Sequence, residues 1–387
     1  MKPIIQILFC VFLICPSFAE PFKIKEDARI VLIGNGLGAR MIHYDHFEAG
    51  LHQRFPKHRL FVRNMCDEGN TPGFRPHSAR GNPWAFPGAE KLRTLEATKD
   101  RWGSGNIGTG SYKSPDEWLK TLRPDLVVAF FGYGESFDGV RGLSAFRAEL
   151  EGFVQHTLST AYNGENAPAL ALVSPIAFQD LSAIHDTPNG VDENINLALY
   201  AGVIEEVATS YKVHFVDLFT PTQKWFSSSD KPLTRDGALL TEKGYAKLAP
   251  VLLDGLFGML TPAVIPHLSI LRKSIAEKNW LWLNYYKIPN GVHVFGRRHN
   301  PYGPKNYPAE LRKLAQMMAV RDQAIWASLS GNSFDLAAGD AATDALPDMG
   351  VNKAKYLPVD DAVKAIVVPE GYKIELFASE REFPFLA

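Results

Sequence analysis

Four short stretches of the chain gather residue types that could do chemistry. They are Gly34-Asn35-Gly36, Asn64-Met65-Cys66-Asp67-Glu68-Gly69-Asn70-Thr71, Gly132-Tyr133-Gly134-Glu135-Ser136 and Asp236-Gly237-Ala238-Leu239. Acyl transfer through a serine needs an activated hydroxyl, a base oriented by a carboxylate, and N–H donors aimed at the developing oxyanion. Ser136 offers a hydroxyl, Asp236 a carboxylate, and His43, His46 and His77 offer imidazoles, with His43 and His46 expected on one helix face. Cys66 is a second nucleophile candidate, reactive only where its thiol pKa is lowered. Each has a plainer role, and the plainer role is the expectation. A serine in such a turn bonds backbone, a histidine is solvated or packed, and a small buried cysteine fills space.

Two other patterns compete. Gly34-Asn35-Gly36-Leu37-Gly38-Ala39 fits G-x-G-x-x-A, the dinucleotide-binding fingerprint, in which glycines let a pyrophosphate approach a helix N-terminus. The acid that would hold the ribose is out of place, because the second strand ends Phe61-Val62-Arg63-Asn64 and Asp67 follows several residues later. Arg297, Arg298 and His299 could hold a carboxylate or sulfate, or could simply solvate a loop.

The elements that must position these residues follow from the apolar pattern. Near-continuous apolar runs at 30–33, 59–64, 125–131, 169–174 and 214–219 read as strands. Amphipathic stretches at 38–54, 114–123, 142–161, 192–211 and 241–257 read as helices, the second opened by Ser114, Pro115 and Glu117 as a capping box. Such strands separated by helices imply a parallel sheet covered on both faces. Ligands then sit outside the carboxyl ends of the strands, where all four stretches fall. Beyond 258, helices are expected at 264–278 and 307–329 around an aromatic, basic stretch, followed by a linker over 331–365 and a strand pattern over 366–387.

In order and spacing the four stretches, with Thr241 and Gly244-Tyr245 closing the last, resemble the sequence blocks of the SGNH (GDSL-type) hydrolase superfamily, over residues 28–258. The resemblance implies an α/β, three-layer, flavodoxin-like SGNH-hydrolase fold with a parallel five-stranded sheet, here with a C-terminal helical extension. It implies ester hydrolysis on carbohydrate or lipid-like substrates as the family activity. Gly69 stands at the oxyanion-hole glycine and Asp236 at the acid, but Gly36 replaces the serine, Gly134 the asparagine and Leu239 the histidine. A glycine has no nucleophile and a leucine accepts no proton, so the expectation is a degenerate centre that keeps its cradle. That cradle comprises Asn35, Gly36, Gly69, Asn70, Gly134, Glu135, Ser136 and Leu239. The alternative is a non-catalytic carbohydrate-binding module, whose walls would be made polar by Asn35, Asn64, Asn70, Glu135 and Asp236. A dinucleotide-binding oxidoreductase is the third reading.

Asn284-Tyr285-Tyr286-Lys287, Gly296-Arg297-Arg298-His299-Asn300 and the segment from Val368 to Glu380 resemble parts of large exported bacterial proteins. In those, an SGNH-like module precedes a sugar-dehydrogenase-like β-propeller, sometimes with a c-type cytochrome domain. The resemblance implies that 366–387 begins such a propeller; docking on the existing sheet is the alternative. No Cys-x-x-Cys-His occurs in the sequence, and no cofactor or metal is expected.

Residues 1–19 read as a secretory signal peptide, with Lys2, an apolar run from Ile4 to Cys15, and Ser17-Phe18-Ala19 at the cleavage positions. A secreted or periplasmic protein with no membrane span after cleavage is expected. Cys66 is then the single thiol of the mature chain, so no intramolecular disulfide forms. Across 387 residues, 41 Lys and Arg balance 42 Asp and Glu, and 46% of residues are apolar. That balance excludes a strongly basic nucleic-acid binder and wholesale disorder. The ligand class left is a carbohydrate or an acylated small molecule.

Overall fold

The computed structural model describes residues 20–73, 113, 115–228, 231–287, 303–346 and 357–379. The five strands are β1 (Arg29–Gly34), β2 (Phe61–Asn64), β3 (Leu126–Phe130), β4 (Ala169–Val173) and β5 (His214–Val216). They form one all-parallel sheet in the order β2-β1-β3-β4-β5. This is the flavodoxin-like order of an open α/β sheet, as expected.

Alternate residues of each strand face opposite layers, the period of two that a pleated strand imposes. Val31, Ile33, Val127, Ala129, Leu170 and Leu172 pack beneath α3 (Pro115–Leu122), α4 (Gly139–Ser159) and α5 (Val191–Tyr211). Ile30, Leu32, Val128, Phe130, Ala171 and Val173 pack on the other face. There they meet α2 (His46–Arg54) and α7 (Glu242–Phe257) through Phe47, Leu51, Leu248 and Leu252. α3 begins at Pro115, as its start signal implies; Ser114 lies outside the described residues.

Two stretches depart from expectation. The helix expected over 38–54 is broken into α1 (Gly36–Arg40), a 3-10 turn (Met41–His43) and α2, with Tyr44 extended between them. The break lets Tyr44 stack on Tyr245, with ring centroids 4.8 Å apart, and lets Asp45 pair with Arg272 at 2.6 Å. His43 and His46 therefore share no helix face. A helix that the sequence pattern does not announce, α6 (Phe219–Ser228), follows β5. Pro221 sits in its first turn, where a missing N–H costs nothing, and Thr222 Oγ1 donates to Leu218 O at 2.6 Å.

After α7 come α8 (Leu268–Tyr286), α9 (Tyr307–Leu329) and α10 (Leu336–Ala341), while α11 (Val359–Ala365) lies further on. Residues up to Leu346 cluster as one compact unit and 347–387 as a second. The boundary expected at 258 is thus no division of the structure, because α8 and α9 join the core. Lys278 of α8, wholly buried, pairs with Glu48 of α2 at 2.5 Å, and Asp322 of α9 takes Arg63 of β2 in a two-pronged pair at 2.5 and 3.2 Å. The stretch expected to be a linker over 331–365 carries α10 and α11. α10 belongs to the first unit, since its Asp340 pairs with Arg321 of α9 and Gly339 packs closely on Val320. In the second unit no strand forms over the described residues 366–379. No described helix is long and apolar enough to cross a membrane.

Candidate functional site

A cavity of about 380 Å3 opens at the carboxyl ends of the strands. Each wall comes from a strand-end turn: Asn35, Gly36 and Leu37 after β1, Glu68 to Thr71 after β2, Tyr133 and Gly134 after β3, and Ser174 to Ile176 after β4. Ala238, Leu239 and Tyr245 close it from the α7 side.

Local sterics explain why the first turn is built from glycines. Gly34 has φ +129°, and a Cβ there would lie 2.0 Å from Phe130 O. β1 can meet β3 so closely, with Asn35 N donating to Phe130 O at 2.8 Å, only through a residue without a side chain. A Cβ on Gly38 would lie 2.5 Å from Cys66 Sγ. The fingerprint glycines at 34 and 38 thus serve the packing of this chain upon itself. Asp67 is paired with Lys287 at 2.7 Å, and no Lys or Arg stands on the cavity wall, where Glu68 is the charged residue. A pyrophosphate would meet a carboxylate and no cation among the described lining residues.

The structure brings Asn35, Gly36, Gly69, Asn70, Gly134 and Leu239 together on the wall. Glu135, Ser136, Asn64 and Asp236 are not wall residues; they shape the turns. Glu135 Oε2 accepts the Gly132 N–H at 2.9 Å and lies 3.5 Å from Asn35 Nδ2, tying the β1 and β3 turns together. Ser136 Oγ donates to Tyr133 O at 2.7 Å, the backbone role expected of it. Asn64 donates from Nδ2 to Gly38 O at 2.7 Å and accepts the Cys66 N–H at 2.9 Å. Asp236 Oδ1 accepts the N–H groups of Ala238 and Leu239 at 3.0 and 2.8 Å, a side-chain turn that sets Leu239 on the wall. The expectation of polar walls is corrected accordingly. With Leu37, Phe130, Phe131, Pro175, Ile176 and Leu239 around it, the cavity is chiefly apolar.

The candidate bases stand elsewhere. His43 borders a smaller adjacent hollow with Arg40, Glu68 and Lys287. Burial, then the Arg40 and Lys287 charges, holds its imidazole below the ordinary value. His46 lies against Arg272 and Glu242, and burial followed by Arg272 lowers it likewise. Cys66 is buried in packing contact with α1. His77 and the basic triplet Arg297, Arg298 and His299 lie outside the described residues.

Hydroxyls do reach the wall, but they are engaged. Thr71 Oγ1 donates to Glu149 Oε2 at 3.2 Å, and Tyr245 OH to Leu37 O at 2.9 Å. Ser174 Oγ accepts the N–H groups of Leu218 and Phe219 at 2.8 and 3.0 Å. Tyr133 is pushed up to about 12 by burial and by the Asp236 and Glu193 charges, so it stays a neutral phenol. Burial raises Tyr245 also. By contrast, the N–H groups of Gly36, Gly69 and Gly134 donate to no acceptor among the described residues. Gly36 opens a helix, where that is the rule for the first turn. Sequence reasoning missed Tyr133, Tyr245 and the segment Ser174 to Ile176. The last was findable, because it follows an expected strand as the other turns do.

No family model matches the chain, and no curated protein matches it in sequence. Solved structures match in backbone. A gut microbial diltiazem-metabolizing enzyme is 12% identical with a TM-score of 0.42, over 62% of this chain and 49% of its own, so the chain spans about half of that enzyme. A catalytic mutant of an acetylxylan esterase from Geobacillus stearothermophilus is 16% identical with a TM-score of 0.39, over 61% of this chain and 96% of its own. A lipase/acylhydrolase from Enterococcus faecalis is 17% identical with a TM-score of 0.38, over 61% and 99%. These are likenesses of fold.

Proposed function

We propose that this chain is an SGNH-like module whose cavity holds the acyl group of a small molecule without cleaving it by a serine triad. The observation that carries the reading is the pairing of Gly36 and Leu239 on one wall, at the positions the sequence blocks give to the nucleophile and the base. Glycine supplies no attacking atom and leucine no proton acceptor, whereas unengaged N–H groups on the same wall suit a carbonyl oxygen. Apolar neighbours suit the alkyl or aryl part of an acyl compound better than a bare sugar. An acylated carbohydrate met outside the cytoplasm, by a module joined to a propeller, is the setting this reading proposes.

Calorimetric titration with short and medium acyl compounds tests it, beside an assay on p-nitrophenyl acetate and acetylated sugars. Binding that is lost in Gly134→Phe, with turnover at the uncatalysed background, is the expected result. Robust turnover that survives Ser136→Ala, His43→Ala and His77→Ala, or the absence of any binding, would overturn it. Conventional ester hydrolysis by side chains recruited from elsewhere is the competing outcome of the same assay.

A further inference from the structure

Given that the cavity is an acyl site at all, its polar atoms restrict which acyl compounds it takes. Asn70 lines the wall and is only 3% exposed. Its Nδ2 donates to Gly34 O at 3.1 Å, which fixes the orientation of the amide and leaves Oδ1 as the other polar atom. That Oδ1 has no hydrogen-bond partner. Among the described lining residues it is the one buried side-chain acceptor left so. Buried acceptors are nearly always satisfied, and one on a cavity wall is satisfied by what the cavity holds. A ligand must therefore bring a donor.

The surrounding charge points the same way. Glu68 stands on the wall, and no Lys, Arg or His does. Arg40 and Lys287 border the adjacent hollow, where Lys287 is held by Asp67 at 2.7 Å. A carboxylate would bring two acceptors and a negative charge to Asn70 Oδ1 and Glu68, with no cation to meet it. An amide brings a carbonyl for the backbone N–H groups and an N–H for Asn70. An ester with a neighbouring hydroxyl brings the same pair.

We propose that the cavity selects uncharged acyl compounds that carry a hydrogen-bond donor beside the carbonyl, and rejects the matching carboxylates, with Asn70 Oδ1 as the atom that reads the donor. The test varies the ligand and leaves the chain intact. Octanamide, N,N-dimethyloctanamide and octanoate are titrated calorimetrically at neutral pH. Octanamide is expected to bind at least about tenfold tighter than either of the others, the loss typical of a site whose buried polar atom goes unpaired. Asn70→Ala should bring the three affinities together; where that variant does not fold, the ligand series decides alone. Equal binding of all three, abolished by Gly134→Phe, would sink the donor rule and leave the acyl site standing. Octanoate binding as tightly as octanamide would sink it too. No binding by any of the three would remove the acyl site, and the donor rule with it.

Discussion

Lys278 and Trp282, one turn apart on α8, donate to carbonyls two residues apart on β2: Nζ to Val62 O at 3.1 Å and Nε1 to Asn64 O at 2.6 Å. Four helical residues rise about 6 Å and two strand residues about 6.6 Å, so the two ladders stay in step. Tyr286 OH extends the series to Met65 O at 3.3 Å, and Trp326 Nε1 of α9 begins it at Leu60 O, 3.2 Å. Removing one rung should be measurable. Trp282→Phe leaves a buried carbonyl unpaired and is expected to cost about 1–3 kcal/mol in urea unfolding. No change in midpoint would mean that the rung contributes nothing.

The buried pair beneath that ladder should behave differently. Burial alone would raise the Glu48 carboxyl, but the Lys278 charge and His52 hold it below its ordinary value, while burial lowers Lys278 itself. Lys278→Met strands a carboxylate in the interior and is expected to cost about 3–5 kcal/mol. Adding Glu48→Leu should recover most of the loss. A double variant no more stable than the single one would contradict this account.

Acid sensitivity has a named contributor at the α3 start. Burial works to raise the Asp116 carboxyl, yet the hydrogen bonds and charge of His156, with Tyr162, hold it below its usual value. A carboxyl lowered in the folded state contributes stability that is complete above its unfolded value of about 3.9 and is lost as pH falls through the folded one. Asp116→Asn should flatten the fall in melting temperature between pH 5 and pH 2. An unchanged slope would assign the sensitivity elsewhere.

The cavity positions can be tested by filling them. A Cβ on Gly134 meets nothing within 4 Å, and its φ of −62° suits any residue. Gly134→Phe should block acyl binding and shift stability by no more than about 0.5 kcal/mol. Gly34→Ala, forced onto Phe130 O at φ +129°, should cost at least about 3 kcal/mol. Similar penalties for the two would contradict the geometry of the β1–β3 contact.

Restoring chemistry is the more demanding experiment. Gly36 lacks a left-handed φ, and a Cβ there meets only Glu68 Cγ at 3.8 Å. Gly36→Ser with Leu239→His places a hydroxyl and an imidazole on one wall, near Asp236, whose Oδ2 has no partner among the described residues. If the backbone donors are aimed as the cradle requires, hydrolysis of p-nitrophenyl acetate should rise at least about 100-fold over the unaltered chain. A folded double variant without turnover would place the N–H groups off target.

Much of this was readable from the residues. The strands announced themselves because a strand covered on both faces is apolar throughout, as in Leu126-Val127-Val128-Ala129-Phe130. The convergence of Gly36, Gly69, Gly134 and Leu239 followed from strand order alone. What composition hides is which polar side chain a turn consumes. Asn64, Glu135 and Asp236 looked like wall and proved to be fastening, because each meets N–H or carbonyl groups brought near only by folding. The break after Arg40 was hidden by its cause, Tyr245, which lies two hundred residues away in sequence. α6 was masked by Pro221 and its serine-rich end, the signals of a turn.

The donors that α8 and α9 lay along β2 have one more effect. An outermost strand ordinarily offers its backbone as a template on which a foreign segment can add itself, whether a partner's peptide or a misfolded sibling. Here those carbonyls are already engaged by tryptophan, lysine and tyrosine side chains. Recruitment by strand addition is therefore closed along that border. At the opposite one, β5 is three residues long, a short landing for any incoming segment.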